Sequence, residues 1–240
     1  MENEIKLFEN TLINKDFIDA SVDFTQISID ALTGYLFPEI ADFLRDIPVV
    51  QGIVAMGKLA WTISRGVSLR NQLAFIVSLK NETVDPQKAE KRRMALEKNE
   101  QWVKKEIETS IVFLDRYTDV KKAVYQSKMY RDLINERIKF DEYEEYLLIT
   151  DRLFLNDLPF LIEAVDYYDE NEKQFYDGDC INQIKSRSDK VRYSRLESLG
   201  LLEGLISSRV GTSVVDRYLP TDQGRYFYSI VTEDSIQKNN

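Results

Sequence analysis

Histidine is absent from this chain of 240 residues, and cysteine occurs once, as Cys180. Without histidine there is no Ser-His-Asp or Cys-His nucleophilic pair, no imidazole metal ligand and no side chain that titrates unperturbed near neutral pH. One cysteine cannot form an intrachain disulfide, which suits a reducing compartment. These absences indicate a protein that is not an enzyme, and the sequence suggests no cofactor, no metal ion and no small-molecule substrate.

The beginning of the chain lacks the pattern of a secretory signal. Residues 1–10, MENEIKLFEN, place acidic residues before any apolar stretch, and they have neither a basic start nor a small-residue cleavage site. We therefore expect a cytoplasmic location, peripheral to a membrane if residues 47–80 act on one. The composition, 43% apolar and 30% charged, is that of a globular protein.

Charge is distributed unevenly along the chain, whose net charge is −9. Residues 141–180 contain two basic and thirteen acidic side chains, a net charge of −11, whereas residues 47–80 contain no acidic side chain at all. Attraction to phosphate dominates non-specific binding to nucleic acid, so an acidic chain is a poor binder overall. Any contact with nucleic acid must therefore be local.

The acid-free segment, residues 47–80, admits two interpretations. It can be a buried helical hairpin kinked near Gly66, or a cationic apolar element that acts on an anionic membrane or on a protein partner. Its first part, residues 47–63, carries only Lys58, but a helix needs about 20 apolar residues to span a bilayer. The candidate residues for a membrane or partner contact are Val50, Ile53, Lys58, Leu59, Trp61 and Arg65.

The same segment contains an incomplete phosphate-loop motif. Gly52 and Gly57-Lys58 have the spacing of G-x-x-x-x-G-K, but the next residue is Leu59. A phosphate loop needs serine or threonine there to hold magnesium. We expect no nucleotide site.

Helical periodicity dominates the first two thirds of the chain. Two helices are expected in residues 10–46. Asp85 as N-cap and Pro86 at the first helical position predict the start of one basic amphipathic run that extends through residue 117. Further helices are predicted around residues 120–134, from a cap at Asp141, and from residue 156 to about Tyr168.

An acidic, polar stretch follows these helices and predicts a domain boundary. We assign residues 1–168 to a helical domain, residues 169–183 to an acidic linker and residues 184–240 to a second domain. The carboxylates in and before the linker lack the spacing of a calcium-binding loop, so a solvated linker is expected.

The C-terminal domain begins with a basic helix. Its residues Val191, Leu196 and Leu199 are predicted to face inward, and Gly200 ends it. The sequence Leu199-Gly-Leu, a later Tyr218-Leu-Pro-Thr221 and the helix after it resemble winged-helix domains. That resemblance implies a recognition helix, a two-stranded wing and a last helix capped by Thr221. The predicted fold is therefore mainly α, with an N-terminal helical bundle followed by a small winged-helix-like α+β domain.

Two uses of a winged-helix-like domain compete. Its basic residues would meet DNA in one case and a protein, or a second copy of the chain, in the other. The net charge of +2 for residues 181–240 and the −11 block before them favour protein docking. The candidate contact residues are Lys185, Arg187, Lys190, Arg192, Arg195, Arg209 and Arg217.

The order of motifs along the chain also resembles bacterial and phage-borne proteins of the abortive-infection alpha type. The motifs are Asp46-Ile-Pro48-Val, Phe113-Leu-Asp115-Arg, Phe140-x-x-Tyr143, Asp151-Arg-Leu-Phe154 and Leu199-Gly-Leu with Leu219-Pro-Thr221. This resemblance implies a role in phage defence or superinfection exclusion, through damage to the host membrane or through a protein partner. The leading hypothesis is thus a non-enzymatic interaction or effector protein, and the alternative is a winged-helix DNA-binding transcriptional regulator.

Overall fold

The computed structural model describes residues 49–50, 66–175, 187–209 and 212–237. Within these ranges the protein is mainly helical and contains a two-stranded antiparallel sheet, which confirms the predicted mainly α class. The chain divides into two compact units between Asp151 and Arg152. The two helices expected in residues 10–46 lie outside the described residues.

Five helices build the described part of the first unit: α1 (Gly66–Asn81), α2 (Pro86–Glu97), α3 (Glu100–Arg116), α4 (Val120–Ile134) and α5 (Phe140–Arg152). Helix α1 packs against α4 and α3. Every described side chain between Asn71 and Leu79 is buried, and Phe75 and Leu79 are fully inaccessible. This part of the acid-free segment agrees with the buried interpretation, since a helix that is apolar on all sides lies in a core.

A buried amide fixes α1 against the end of α3. The side-chain Nδ2 of Asn71 donates to the carbonyl oxygens of Leu114, at 2.9 Å, and of Tyr117, at 2.7 Å. The last carbonyls of a helix have no partner within the helix. Asn71 therefore satisfies the C-terminus of α3 from the neighbouring helix.

The basic run predicted from Asp85 to residue 117 is two helices. Asp85 caps the first as predicted, because its Oδ1 accepts from the backbone N–H of Gln87 at 2.9 Å. The prediction of one continuous helix was wrong at Lys98 and Asn99. The side chain of Asn99 accepts from the backbone N–H of Trp102, and this N-cap starts α3 anew.

The later helices begin or end at residues other than those predicted. Helix α5 begins at Phe140, and the side chain of Glu142 accepts from the backbone N–H of Lys139 at 2.7 Å, so the predicted cap at Asp141 was wrong. Helix α6 (Leu158–Phe175) follows a 3₁₀ turn at Leu155–Asp157 and extends beyond Tyr168.

Helix α6 changes the predicted division of the chain. It lies in the second unit, and its last turns include residues 169–175, which we had assigned to the linker. The chain divides into its compact units between Asp151 and Arg152, and residue 168, at which we predicted the end of the helical domain, lies within α6. The remaining linker residues, 176–183, lie outside the described residues.

The second unit continues with α7 (Arg187–Ser198), β1 (Leu202–Arg209), β2 (Thr212–Pro220) and α8 (Asp222–Gln237). The strands pair antiparallel from Leu202 opposite Pro220, with an irregularity between Leu205 and Ile206. Helix α6 packs against β2, α7 and α8, and α7 packs against β1. The core of this unit contains the following buried side chains: Leu161, Val165, Tyr193, Leu196, Leu202, Tyr218, Phe227 and Ile230.

The connections around the hairpin confirm two sequence predictions. Gly200 follows α7 with φ 74°, a conformation that glycine adopts without steric cost. Thr221 caps α8, because its Oγ1 accepts from the backbone N–H of Gly224 at 3.0 Å. The same hydroxyl donates to the carbonyl of Gly200 at 2.6 Å, which ties the two ends of the hairpin together.

Candidate functional site

Helix α7 has one face in the core and one face open to solvent. Tyr193 and Leu196 are fully buried. Val191, which we predicted to face inward, is 51% exposed, so that prediction was wrong. Leu196 follows Tyr193 by about one turn and shares its inward face, and Val191 lies on the opposite side of the helix.

The exposed face of α7 forms a shallow groove of about 390 Å³. We call it the α7 groove. It is lined by Lys190, Val191, Ser194, Arg195 and Ser198. These residues recur at intervals of three or four, so they share one side of the helix. Among the residues that the structure describes, the lining contains two cationic side chains, one apolar side chain, two hydroxyls and no carboxylate.

Arg195 is held at the edge of the groove by a buried carboxylate. Its Nε donates to Asp157 Oδ2 at 2.7 Å and its Nη2 donates to Oδ1 at 2.6 Å. The side chain of Asp157 is 2% exposed, whereas that of Arg195 is 40% exposed. The hydrogen bonds that Arg195 donates to this carboxylate raise the pKa of the guanidinium. The guanidinium therefore has a fixed orientation and remains accessible.

The aromatic ring of Phe154 also contacts Arg195. The guanidinium carbon of Arg195 lies 5.2 Å from the centroid of the Phe154 ring, which is 62% exposed. An arginine over an aromatic face is attracted by the negative face of the ring. Phe154 and Arg195 thus place an apolar surface and a positive charge next to each other.

Arg192 is also engaged within the unit. Its Nη1 donates to the carbonyl oxygen of Asn156 at 3.1 Å, and its guanidinium lies 4.9 Å from the centroid of Phe160. A guanidinium that is half-buried and paired in this way is less accessible to a phosphate than a free one. Of the predicted basic residues with a described side chain, Lys190 is the exposed one for which the structure gives no such contact.

Stacked aromatic rings support the groove from behind. Tyr193 and Tyr218 stack with their centroids 5.0 Å apart and their planes at 11°, and Phe160 meets Tyr193 edge-on at 5.4 Å. Burial raises the pKa of the Tyr193 hydroxyl. This packing joins α7 to β2 and α6, so the groove rests on a rigid core.

The remaining predicted site residues are placed as follows. Arg187 begins α7, Arg209 ends β1 and Arg217 lies in β2 opposite Leu205, but their side chains are outside the described set. Val50 is described and is 1% exposed, so it lies in a core. Lys185, Ile53, Lys58, Leu59, Trp61 and Arg65 lie outside the described residues.

Sequence reasoning missed the residues that position the arginines. Asp157, Asn156 and Phe154 precede α6 and are far from α7 in sequence, and nothing in their local pattern indicates a partner on α7. A buried aspartate before a helix is usually interpreted as a cap. Only the tertiary fold shows that Asp157 binds Arg195.

Comparisons of the chain with protein-family models, with curated proteins and with solved structures give no match. In the part of the chain that the structure describes, no helix is both long enough and apolar enough to cross a membrane.

Proposed function

We propose that the protein is a non-enzymatic interaction protein that binds a partner protein through the α7 groove. The observation that carries this proposal is the composition of the groove, in which the half-exposed Val191 lies between Lys190 and the oriented Arg195. An apolar centre with a charged rim is the usual anatomy of a protein interface.

The chemistry of the lining selects an acidic partner segment with an apolar side chain. Among its described lining residues the groove presents Lys190 and Arg195, the latter paired with Asp157 from one side, and no carboxylate, so a segment that carries glutamate or aspartate complements it. The apolar side chain of that segment would cover Val191, and the exposed ring of Phe154 extends the apolar contact beside Arg195. Such a surface steers association and lowers the affinity for basic partners.

A DNA-binding regulator is the second candidate. The order helix, hairpin and helix, with Lys190 exposed on the first helix, is the arrangement that a winged-helix reader of DNA would use. Against it, Arg192 is already held by Asn156 and Phe160, and residues 141–180, just before these elements, carry a net charge of −11 that would repel DNA. We rank this candidate second for that reason. The role in phage defence stays a prediction from the motif resemblance.

The test measures binding of the full chain to three labelled probes by fluorescence anisotropy. The probes are a short peptide with one leucine between glutamates, the same peptide with lysines, and a short DNA duplex. We expect saturable, salt-sensitive binding of the acidic peptide alone. Lys190→Glu and Val191→Asp should each weaken it about ten-fold, or by about 1.4 kcal/mol.

Lys121→Glu is the matched control, because Lys121 is exposed on α4 in the other unit and its reversal changes the net charge equally. It should leave the affinity for the acidic peptide unchanged. Binding of the duplex that Lys190→Glu abolishes, without binding of the acidic peptide, would replace the proposal with the DNA-binding candidate. Equal weakening by Lys121→Glu would show that only net charge matters.

A further inference from the structure

Helix α2 is attached to the first unit mainly by charged and polar contacts. None of its described side chains is buried. Lys88 Nζ donates to the carbonyl oxygen of Asn135 at 2.7 Å, and Lys91 Nζ donates to Glu136 Oε1 at 2.6 Å. Exposed ion pairs of this kind contribute little to stability. The basic side chains of Lys88 and Lys91 are therefore used within the unit, and apolar burial adds little.

The third contact of α2 differs from these because its acceptor is buried. Arg92 donates from Nε to Glu106 Oε1 at 3.2 Å and from Nη2 to Oε2 at 2.6 Å. The side chain of Glu106 is 1% exposed and that of Arg92 is 22% exposed. Burial opposes the charge of Arg92, but the charge and hydrogen bonds of Glu106 outweigh it and raise the pKa of the guanidinium.

Helices other than α2 also contact the Glu106 carboxylate and the phenol beside it, and we call this site the socket. Glu106 lies on α3, and the Tyr130 hydroxyl on α4 donates to its Oε1 at 2.5 Å. The Tyr130 ring packs 5.7 Å from both Phe75 and Tyr143, on α1 and α5. Four other helices therefore hold the carboxylate and the phenol in place, and α2 supplies only the cation.

A second polar cluster surrounds the hydroxyl of Tyr143, whose ring packs against Tyr130. The Tyr143 hydroxyl lies 3.1 Å from Ser110 Oγ and accepts from Gln126 Nε2 at 3.1 Å. All three of these side chains are fully buried. Tyr143 is thus fixed at its ring by Tyr130 and at its hydroxyl by Ser110 and Gln126.

We propose that this socket is a guanidinium-binding site which Arg92 fills as an internal ligand, and that an arginine side chain of a partner protein can replace Arg92 and release α2. A buried carboxylate that loses its cation is strongly destabilised, so the socket requires another cation when α2 leaves. The planar fork of a guanidinium matches the two oxygens of Glu106, and an ammonium does not.

The chain around α2 allows such a release. Residues 82–85 before the helix and residues 98–99 after it are not helical. Asn135 ties the entry to the helix, since its Oδ1 accepts from the backbone N–H of Asp85 and its Nδ2 donates to the carbonyl of Thr83, both at 2.9 Å. Release of α2 about these two non-helical segments would break the hydrogen bonds to Asn135 at its entry.

The first test is chemical rescue of Arg92→Ala in the full chain. The variant should unfold at a lower temperature than the wild type. Ethylguanidinium at millimolar concentration should raise this unfolding temperature back towards the wild-type value in a saturable manner. Ethylammonium should restore much less. The double variant Arg92→Ala with Glu106→Gln should show no rescue. Arg93→Ala is the matched control, since Arg93 pairs with Glu90 on α2 itself and so leaves the socket filled.

The second test uses the wild-type chain and therefore does not depend on whether a variant folds. Hydrogen exchange of the α2 amides should accelerate about ten-fold at an ethylguanidinium concentration ten times its dissociation constant, relative to the α4 amides. Ethylammonium should have no such effect. Absence of acceleration in the wild type, or rescue of Arg92→Ala by both cations equally, would overturn the proposal.

Discussion

Gly224, in the first turn of α8, lies against the connection between α7 and β1. A Cβ added at Gly224 would lie 1.9 Å from the carbonyl oxygen of Leu201, far inside van der Waals contact. That oxygen also accepts from the backbone N–H of Thr221 at 3.2 Å. Since backbone atoms cannot yield as a flexible side chain can, this close approach requires glycine.

The first prediction concerns Gly224. We expect Gly224→Ala to destabilise the second unit by about 3 kcal/mol, because α8 must move away from Leu201 to make room for the methyl group. Chemical denaturation followed by circular dichroism measures this loss. Ser229→Ala is the control on the same helix, since the Ser229 hydroxyl is exposed and bonds only locally, to the carbonyl of Tyr226. Wild-type stability of Gly224→Ala would show that the helix does not approach Leu201 this closely.

At the scale of the elements, local sequence signals predicted where some helices start but not how the helices are joined. Asp85 and Thr221 act as caps as predicted, because a capping side chain bonds the backbone within three residues. The break at Asn99 was missed because the flanking residues are all good helix formers. The acidic end of α6 was assigned to a linker on composition.

The contacts of α6 explain why its acidic end was misjudged. Arg225 Nη1 donates to Asp169 Oδ1 at 2.9 Å, and the Tyr228 hydroxyl donates to Asp166 Oδ1 at 2.6 Å. Helix α8 therefore provides partners for carboxylates that looked solvated in the sequence. The α7 groove also depends on contacts between residues that are distant in sequence, since Asp157 binds Arg195 and the Phe154 ring packs against it. Pairs so distant in sequence leave no periodic signal, and no local pattern predicts them.

At the scale of the whole molecule, buried tyrosines link stability to alkaline pH. A hydrogen bond to Asp166, followed by burial, raises the pKa of Tyr228 to about 12. Burial is the first cause of the raised pKa of four more tyrosines, which are Tyr117, Tyr130, Tyr143 and Tyr193. The folded state thus retains phenol protons that the unfolded state releases near pH 10.

The second prediction follows from the sign of these shifts. A group with a raised pKa in the folded state contributes fully below its unfolded pKa and loses the contribution as pH rises through the folded value. We expect the free energy of unfolding to show no tyrosine dependence below about pH 9 and to fall from about pH 10 towards 12. Urea denaturation at each pH measures it, with tyrosinate absorbance as a second readout.

Tyr228→Phe is the control for this prediction, because it removes one phenol whose pKa is raised in the folded state. The free energy of unfolding of this variant should fall less steeply at alkaline pH. Tyrosines that ionise in the folded chain with the midpoint of free tyrosine, without loss of structure, would contradict the burial described for them.

Arg92 in the first unit and Arg195 in the second unit have different surroundings. In the first unit Arg92 fills a buried socket, and in the second unit Arg195 is oriented at the edge of an exposed groove. The overall charge of −9 does not prevent the second role, because the lining of the groove is locally positive. We therefore propose that this groove binds an acidic protein segment.

Hydrogen exchange of the full chain with and without the acidic leucine peptide is the most direct test of binding at the α7 groove. With the peptide bound, we expect slower exchange of backbone amides in α7, within Arg187–Ser198, and no change in α4, within Val120–Ile134. Unchanged exchange in α7 at a saturating peptide concentration, or protection confined to other helices, would contradict it.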